Sequence, residues 1–258
     1  PIRARQMFRE EDLARLATEA RILGPVNKDD RAGLHDILKK AVVAITGWGS
    51  PRFDEPLLAH APALKLVAHS AGSVKAFVSD ALFARGIRVT TAAAANAAPV
   101  AEYTVAMMVA MLKQIPWLAR AMAAADKEQT NERRRHVREL QDISVGLVGA
   151  SRVGREVIRL LRSYHRLSIK VHDPFLKPQV ARELGVELCS LEEACRCPVV
   201  SIHAPMTPQT HHMFNASTLR WIPTHGVLIN TARGSLVDEA ALLAEVRRRP
   251  LYVCLDVT

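Results

Sequence analysis

The sequence predicts an α/β fold of two Rossmann-like or flavodoxin-like domains, each built on a parallel sheet. Three observations carry that expectation. Short apolar runs of strand type alternate with helically spaced segments along the whole chain, a pattern that puts helices on both faces of a parallel sheet. One strand-type run, 145–149, turns abruptly into a helical stripe through a cluster of small residues. A long apolar helical stretch followed by a charged stretch, together 97–139, separates two such series.

The elements follow in order. Residues 9–20 are amphipathic, with Leu13, Leu16 and Ala17 on one face. Pro1 is not an initiator methionine and no apolar strand precedes this segment, so the chain is expected to continue upstream. A strand is expected at 21–23, then a helix at 30–39, a strand at 41–45, a turn at 47–51 and a short helix at 56–60. A strand at 64–69, a helix at 79–84 and a strand at 87–91 complete the first series. Residues 97–124 read as one long helix starting near Pro99, which suits a first helical turn. It is apolar nearly all round and therefore buried, with Met107, Met108 and Met111 as core filler. The charged residues 126–139 read as a surface connection, which places a domain boundary between about 100 and 140.

In the second half, a strand at 145–149 leads into a helix with Val153, Val157, Leu160 and Tyr164 on one stripe, and a strand at 167–172 ends at Asp173. The alternation continues with a helix at 178–184, a strand at 187–189, a helix from Ser190 and a strand at 198–202. The loop from His203 to Pro208 follows, where open α/β sheets bind ligands. Asn215 caps the next helix, and the series closes with a strand at 226–230, the segment Thr231-Ala232-Arg233-Gly234-Ser235, a helix at 237–248 and a strand at 251–255.

Composition narrows the function. The chain has 258 residues, 49% of them hydrophobic and 5% aromatic, so aliphatic side chains fill the cores. No run of 18 apolar residues and no signal-peptide pattern occurs, and the expectation is a cytoplasmic protein that binds no membrane. Cys189, Cys195, Cys197 and Cys254 lie in or beside apolar segments, without the paired spacing of a zinc site; they read as small buried thiols, and no metal is expected. The net charge is +9, yet the arginines are spread along helices and Arg133-Arg134-Arg135-His136 is the dense cluster. Anionic small molecules account for that charge as well as nucleic acid does, and no nucleic-acid partner is expected.

The turn after 145–149 carries the chemistry. Gly149, Ser151 and Gly154 form a G-x-G-x-x-G pattern with its middle glycine replaced, between a strand and a helix, with an acid at the tip of the next strand. Gly149 permits the tight turn, Gly154 lets the helix pack closely, and the helix N-terminus presents free N–H groups to a pyrophosphate. Asp173 is placed to accept hydrogen bonds from a ribose. Ser151 stands where the backbone comes closest to the pyrophosphate, so it either crowds the phosphate or donates a hydroxyl to it.

Several motifs together resemble the D-isomer-specific 2-hydroxyacid dehydrogenase family. They are the glycine turn with Asp173, H-A-P-M-T-P-Q-T from His203, L-I-N-T-A-R-G-S-L-V-D-E from Leu228 and C-L-D-V from Cys254. In the first half, A-G-S at Ala71, Gly72 and Ser73 and A-N-A-A-P-V-A-E-Y-T around Asn96 are also similar to that family. The resemblance implies a substrate domain within 1–112 and an NAD-binding domain within 113–258, separated by a cleft. It also implies a homodimer formed mainly through the cofactor domain. Arg152, Val153 and the turn would contact the pyrophosphate; His203, Pro205, Thr231 and Ala232 would line the cofactor; Asp256 would meet the nicotinamide carboxamide. Arg233 would grip the substrate carboxylate and polarise its carbonyl, with the Ala71 to Ser73 backbone completing the site.

Two departures stand out: Ser151, and Pro198 where relatives commonly carry an acid. The resemblance places a general acid/base histidine and its glutamate beyond Thr258. The implied activity is hydride transfer between NAD(H) and a small 2-keto or D-2-hydroxy acid. The alternative is an NAD-sensing regulator or corepressor-like protein of the same fold.

Overall fold

The computed structural model describes residues 8–258, in two compact units that divide between Asn96 and Ala97. The division falls ahead of the expected 112/113 because most of the long helix there packs with the second unit.

The first unit contains α1 (Glu10–Glu19), α2 (Arg31–Leu38), β1 (Val43–Thr46), α3 (Glu55–Leu58), β2 (Leu66–His69), α4 (Asp80–Ala84) and β3 (Arg88–Thr91). Its three strands are parallel in the order β1-β2-β3, with Val43 opposite Leu66 and Leu66 opposite Arg88. Local chemistry starts the helices: the carboxylates of Asp30 and Asp54 and the hydroxyl of Ser79 accept from N–H groups in the first turns of α2, α3 and α4. Leu38, Phe53, Leu58, Val67, Phe77, Leu82 and Ile87 form the core. Residues 21–23, expected as a strand, are irregular.

The stretch expected as one helix is two, α5 (Ala93–Leu112) and α6 (Ile115–Ala123). Gln114 between them has φ +57, and Pro116 lies in the first turn of α6, where its missing N–H is not needed. Pro99 is interior to α5 rather than at its start. By length and composition α5 is apolar enough to cross a membrane, but Ala101, Val105, Met108, Met111 and Leu112 are buried in the core of the second unit. The charged connection is largely helical, as α7 (Lys127–Arg134), capped by Asp126.

The second unit then alternates strictly through β4 (Ser144–Val148), α8 (Arg152–Leu161), β5 (Ser168–His172), α9 (Pro178–Leu184), β6 (Glu187–Leu188) and α10 (Leu191–Cys195). It continues through β7 (Val199–Ile202), α11 (Ala216–Leu219), β8 (Val227–Asn230), α12 (Glu239–Arg248) and β9 (Tyr252–Leu255). The six strands are parallel in the order β6-β5-β4-β7-β8-β9. Counted from β4 this is the doubly wound dinucleotide-binding order, whose direction reverses between β4 and β7.

Period-two alternation splits the strands between two cores. Val145 and Leu147 face Val157, Ile158 and Leu161 of α8 together with α5, whereas Val148, Val200, Ile202 and Leu228 face Ala194, Phe214, Leu219 and Leu242. The expected stripe Val153, Val157, Leu160 and Tyr164 packs on this core, and its most buried line runs through Gly154, Val157, Ile158 and Leu161. Residues 234–236 tighten into a 3-10 turn, so α12 begins two residues after the expected start and is capped by Asp238.

Candidate cofactor site

At the reversal between β4 and β7 the chain leaves β4 through Gly149, whose φ is +101. A Cβ there would lie 2.7 Å from the His203 carbonyl carbon and 2.7 Å from the Ala204 nitrogen, so neither backbone angle nor space admits a side chain. A Cβ on Gly154 would lie 2.4 Å from the Gly149 oxygen, which is how the first turn of α8 packs against the loop. Packed this closely, the β4–α8 turn brings the N-terminus of α8 to the ends of β4 and β7 as a backbone cradle.

Ser151 is the N-cap of α8, with φ −63 and ψ −178, and its Oγ accepts from Gly154 N–H at 3.4 Å. It neither fills the cradle nor stands idle: its hydroxyl proton is still available to a ligand. The N–H groups of Arg152 and Val153, the first two residues of the helix, have no intrahelical acceptor, and with the helix dipole they favour an anion.

Asp173, just past β5, accepts from Ala150 N–H at 2.8 Å and from Phe175 N–H at 2.9 Å. The carboxylate is thereby locked beside the glycine turn, and each oxygen keeps lone-pair capacity.

His203 is 3% exposed. Its Nε2 shares a 3.0 Å hydrogen bond with Ser201 Oγ, and its Nδ1 is buried without a partner among the described residues. Burial pushes its pKa down to about 4, so the ring is neutral near pH 7. Its side chain therefore supports the turn from beneath, with Cβ near Gly154, while Pro205 is exposed on the loop above.

A second loop closes the β8 end. Asn230, fully buried, donates from Nδ2 to the Arg233 carbonyl at 2.8 Å and accepts from Ala232 N–H at 3.0 Å. Thr231 shares a 3.0 Å hydroxyl bond with Thr104 of α5. These bonds fix the backbone from which the exposed Arg233 side chain projects. Asn230 is absent from the residues singled out by sequence; an Asn at a strand end before T-A-R-G is the signal that marks it, since Asn readily bonds its own backbone two residues on. Asp256 is exposed just past β9, its N–H donating to Asn230 O at 3.0 Å.

In the first unit, Ala71 is buried, Gly72 partly buried and Ser73 exposed in the loop after β2. A Cβ on Gly72 would stand 3.7 Å from Asn96 Nδ2, which brings this loop and Asn96 together. Beneath them, the buried His69 shares a 3.1 Å hydrogen bond between Nδ1 and Thr46 Oγ1 and packs on Phe77.

Comparison with known proteins agrees with this geometry. Residues 105–258 match the family described as D-isomer specific 2-hydroxyacid dehydrogenase, NAD binding domain. D-3-phosphoglycerate dehydrogenase of Mycobacterium tuberculosis is 35% identical over 191 residues, 73% of this chain and 35% of that protein. Its counterpart from Methanocaldococcus jannaschii is 28% identical over 223 residues, 85% of this chain and 42% of that protein. The chain thus spans about a third of the length of the first of these curated relatives. Among solved structures, Aquifex aeolicus D-lactate dehydrogenase complexed with NAD and lactic acid superposes with a TM-score of 0.76 and 27% identity, covering 97% of this chain and 75% of that one. Holo Rhodotorula graminis D-mandelate dehydrogenase shares the fold, at a TM-score of 0.81 and 21% identity over 97% of this chain and 78% of that one. The chain belongs to the D-isomer specific 2-hydroxyacid dehydrogenase family, and its second unit carries that family's NAD-binding domain.

Proposed function

We propose that the protein carrying this chain transfers a hydride between NAD(H) and a small 2-keto or D-2-hydroxy acid. The observation that carries the reading is the turn at the β4/β7 reversal, where Gly149 and Gly154 let backbone pack on backbone too closely for any Cβ and Asp173 is locked alongside. The residues fit a dinucleotide: free N–H groups for the pyrophosphate on Arg152 and Val153, and a fixed carboxylate for the ribose on Asp173. Bound NAD supplies the hydride chemistry.

The chain supplies binding and orientation. Pro205, Thr231 and Ala232 line the cofactor, His203 supports the turn, and Asp256 receives the carboxamide. Arg233 clamps the substrate carboxylate with two parallel N–H bonds and draws electron density from the adjoining carbonyl. Asn230 holds Arg233 in register. The N–H groups of Ala71, Gly72 and Ser73, with Asn96, are the substrate-binding groups of the first unit in this reading. A homodimer in the cytoplasm accompanies this reading, and light scattering tests the dimer.

The test is a panel of 2-keto acids (glyoxylate, hydroxypyruvate, pyruvate and larger homologues) with NADH, followed by absorbance on the protein that carries the chain in full. One or more acids should be reduced, and Arg233→Lys should lower kcat/KM by about 100-fold, roughly 3 kcal/mol for a charge-assisted bidentate contact. Turnover unaffected by Arg233→Lys, or oxidation of NADH with no acid in the panel, would overturn the proposal.

A further inference from the structure

A second cleft of about 410 Å³ opens in the second unit, lined by Arg196, Arg220, Trp221, Thr224, Arg248 and Arg249 among others. These residues lie at or just past the C-terminal ends of α10, α11 and α12 and precede β7, β8 and β9. They therefore lie at the strand-entry end of the sheet, opposite the glycine turn and Arg233. The arginines are dispersed in sequence; the fold gathers four of them.

Their charges are only partly answered. Arg196 pairs with Glu192 at 2.6 Å, and Arg248 pairs with Glu245 at 2.6 Å. Arg249, whose side chain is 11% exposed, bonds the same Glu245 carboxylate and donates from Nη2 to Leu219 O at 2.9 Å. Two carboxylates thus face four guanidiniums. Arg220 makes no side-chain hydrogen bond or ion pair to any described residue, and no carboxylate lines the cleft. Cation placement at helix C-termini suits all four, since Arg196, Arg220 and Arg249 are C-cap residues and Arg248 lies in a last turn. It does not by itself gather four guanidiniums around one cleft, nor give Arg220 a partner.

The pieces divide the work of anion recognition. Glu245 is 7% exposed and holds two guanidiniums in fixed orientation, which reduces the side-chain entropy lost when a ligand binds. Arg196 and Arg220 stand at the rim, half free or free, and Trp221 and the Thr224 hydroxyl supply a wall with one polar contact. The volume lies within the roughly 300–1,000 Å³ range of small-molecule sites. Guanidinium forks match phosphoryl oxygens in planar, bidentate fashion.

We propose that this cleft binds a small phosphoryl-bearing anion of at least two negative charges, independently of the cofactor cradle. The shared chemistry is the phosphoryl pair, whether carried by inorganic pyrophosphate or by a nucleoside diphosphate.

The test is calorimetric titration of the protein with sodium pyrophosphate and, separately, with ADP, each with and without saturating NAD to occupy the cradle. Pyrophosphate should bind at one site with the same affinity in both conditions, weakening as salt rises. Arg220→Glu, at an exposed position without side-chain partners, should lower that affinity at least tenfold while circular dichroism stays unchanged. Under saturating NAD, ADP should bind with affinity comparable to that of pyrophosphate and show the same sensitivity to Arg220→Glu. Binding that vanishes under saturating NAD would mean that pyrophosphate sits on the glycine turn, and the proposal would fall. Binding of ADP without pyrophosphate, or affinity indifferent to Arg220→Glu, would also refute it.

Discussion

Replacing Ser151 separates two roles that the geometry superimposes. As N-cap of α8, its Oγ accepts from Gly154 N–H at 3.4 Å, a long bond for this role. Loss of a serine cap to alanine typically costs ~1 kcal/mol within a range of about 0.5–2, and the length of this bond argues for the lower half of that range. Ser151→Ala should therefore destabilise the second unit by about 0.5–1 kcal/mol. Ser151→Gly should cost only a few tenths, since glycine is itself a tolerated cap. The second role concerns the cofactor: the cap uses a lone pair, and the hydroxyl proton is free to donate to a pyrophosphate oxygen. If it does, Ser151→Ala weakens NAD binding by roughly 1–2 kcal/mol, between the net value of a neutral hydrogen bond and that of one to a charged group. Ser151→Gly then weakens binding similarly despite its near-native stability. Urea denaturation gives the first quantity and calorimetric titration with NAD the second. An alanine variant as stable as the parent would refute the cap. Tighter NAD binding by the glycine variant would show that the side chain obstructs the phosphate instead.

Three further outcomes follow from the same site. Gly149→Ala should cost about 2–5 kcal/mol, summing strain at positive φ with overpacking against 203–204, and should abolish NAD binding; denaturation and titration of one preparation check both. Lowering the pH should remove stability through His203. Because burial depresses its pKa from 6.5 to about 4, its contribution is complete above about 6.5 and is lost as pH falls toward 4. The gap corresponds to roughly 3 kcal/mol, and His203→Gln should flatten the stability profile across that window; a profile as steep as the parent's would contradict the buried neutral ring. NAD should be preferred over NADP, because Asp173 repels a 2′-phosphate and the following Pro174, Phe175 and Leu176 offer no cation; equal turnover with NADPH would refute this.

Much of the second unit was legible because its signals are local. The glycine turn, the acid at the next strand tip, the helix start at Ser190 and the cap Asn215 all act within a few residues, and each is found where the sequence places it. What escaped depends on the folded surroundings. The break at Gln114 interrupts a run whose composition is continuously helical, and only Pro116 hints at a new first turn. That the most buried line of α8 includes Gly154 and Ile158 follows from Gly154 packing on the Gly149 carbonyl, a contact between elements rather than a spacing. Ser151 looked like an intruder in a glycine position because its capping role depends on ψ, which the pattern does not carry. His203 read as a lining residue; its burial beneath the turn follows from the pairing of β4 with β7. The basic cleft was invisible for the same reason, since Arg196, Arg220, Arg248 and Arg249 meet only when three helices end on one side of the sheet.

Whether a dinucleotide lies at the reversal between β4 and β7 is decided by a crystal structure of the protein with NAD. The pyrophosphate should lie against the Arg152 and Val153 N–H groups, with the adenosine ribose hydroxyls on the Asp173 carboxylate. Density for NAD at any other place on the second unit, or a cradle in which the Gly149 backbone has turned away from the phosphates, would contradict it.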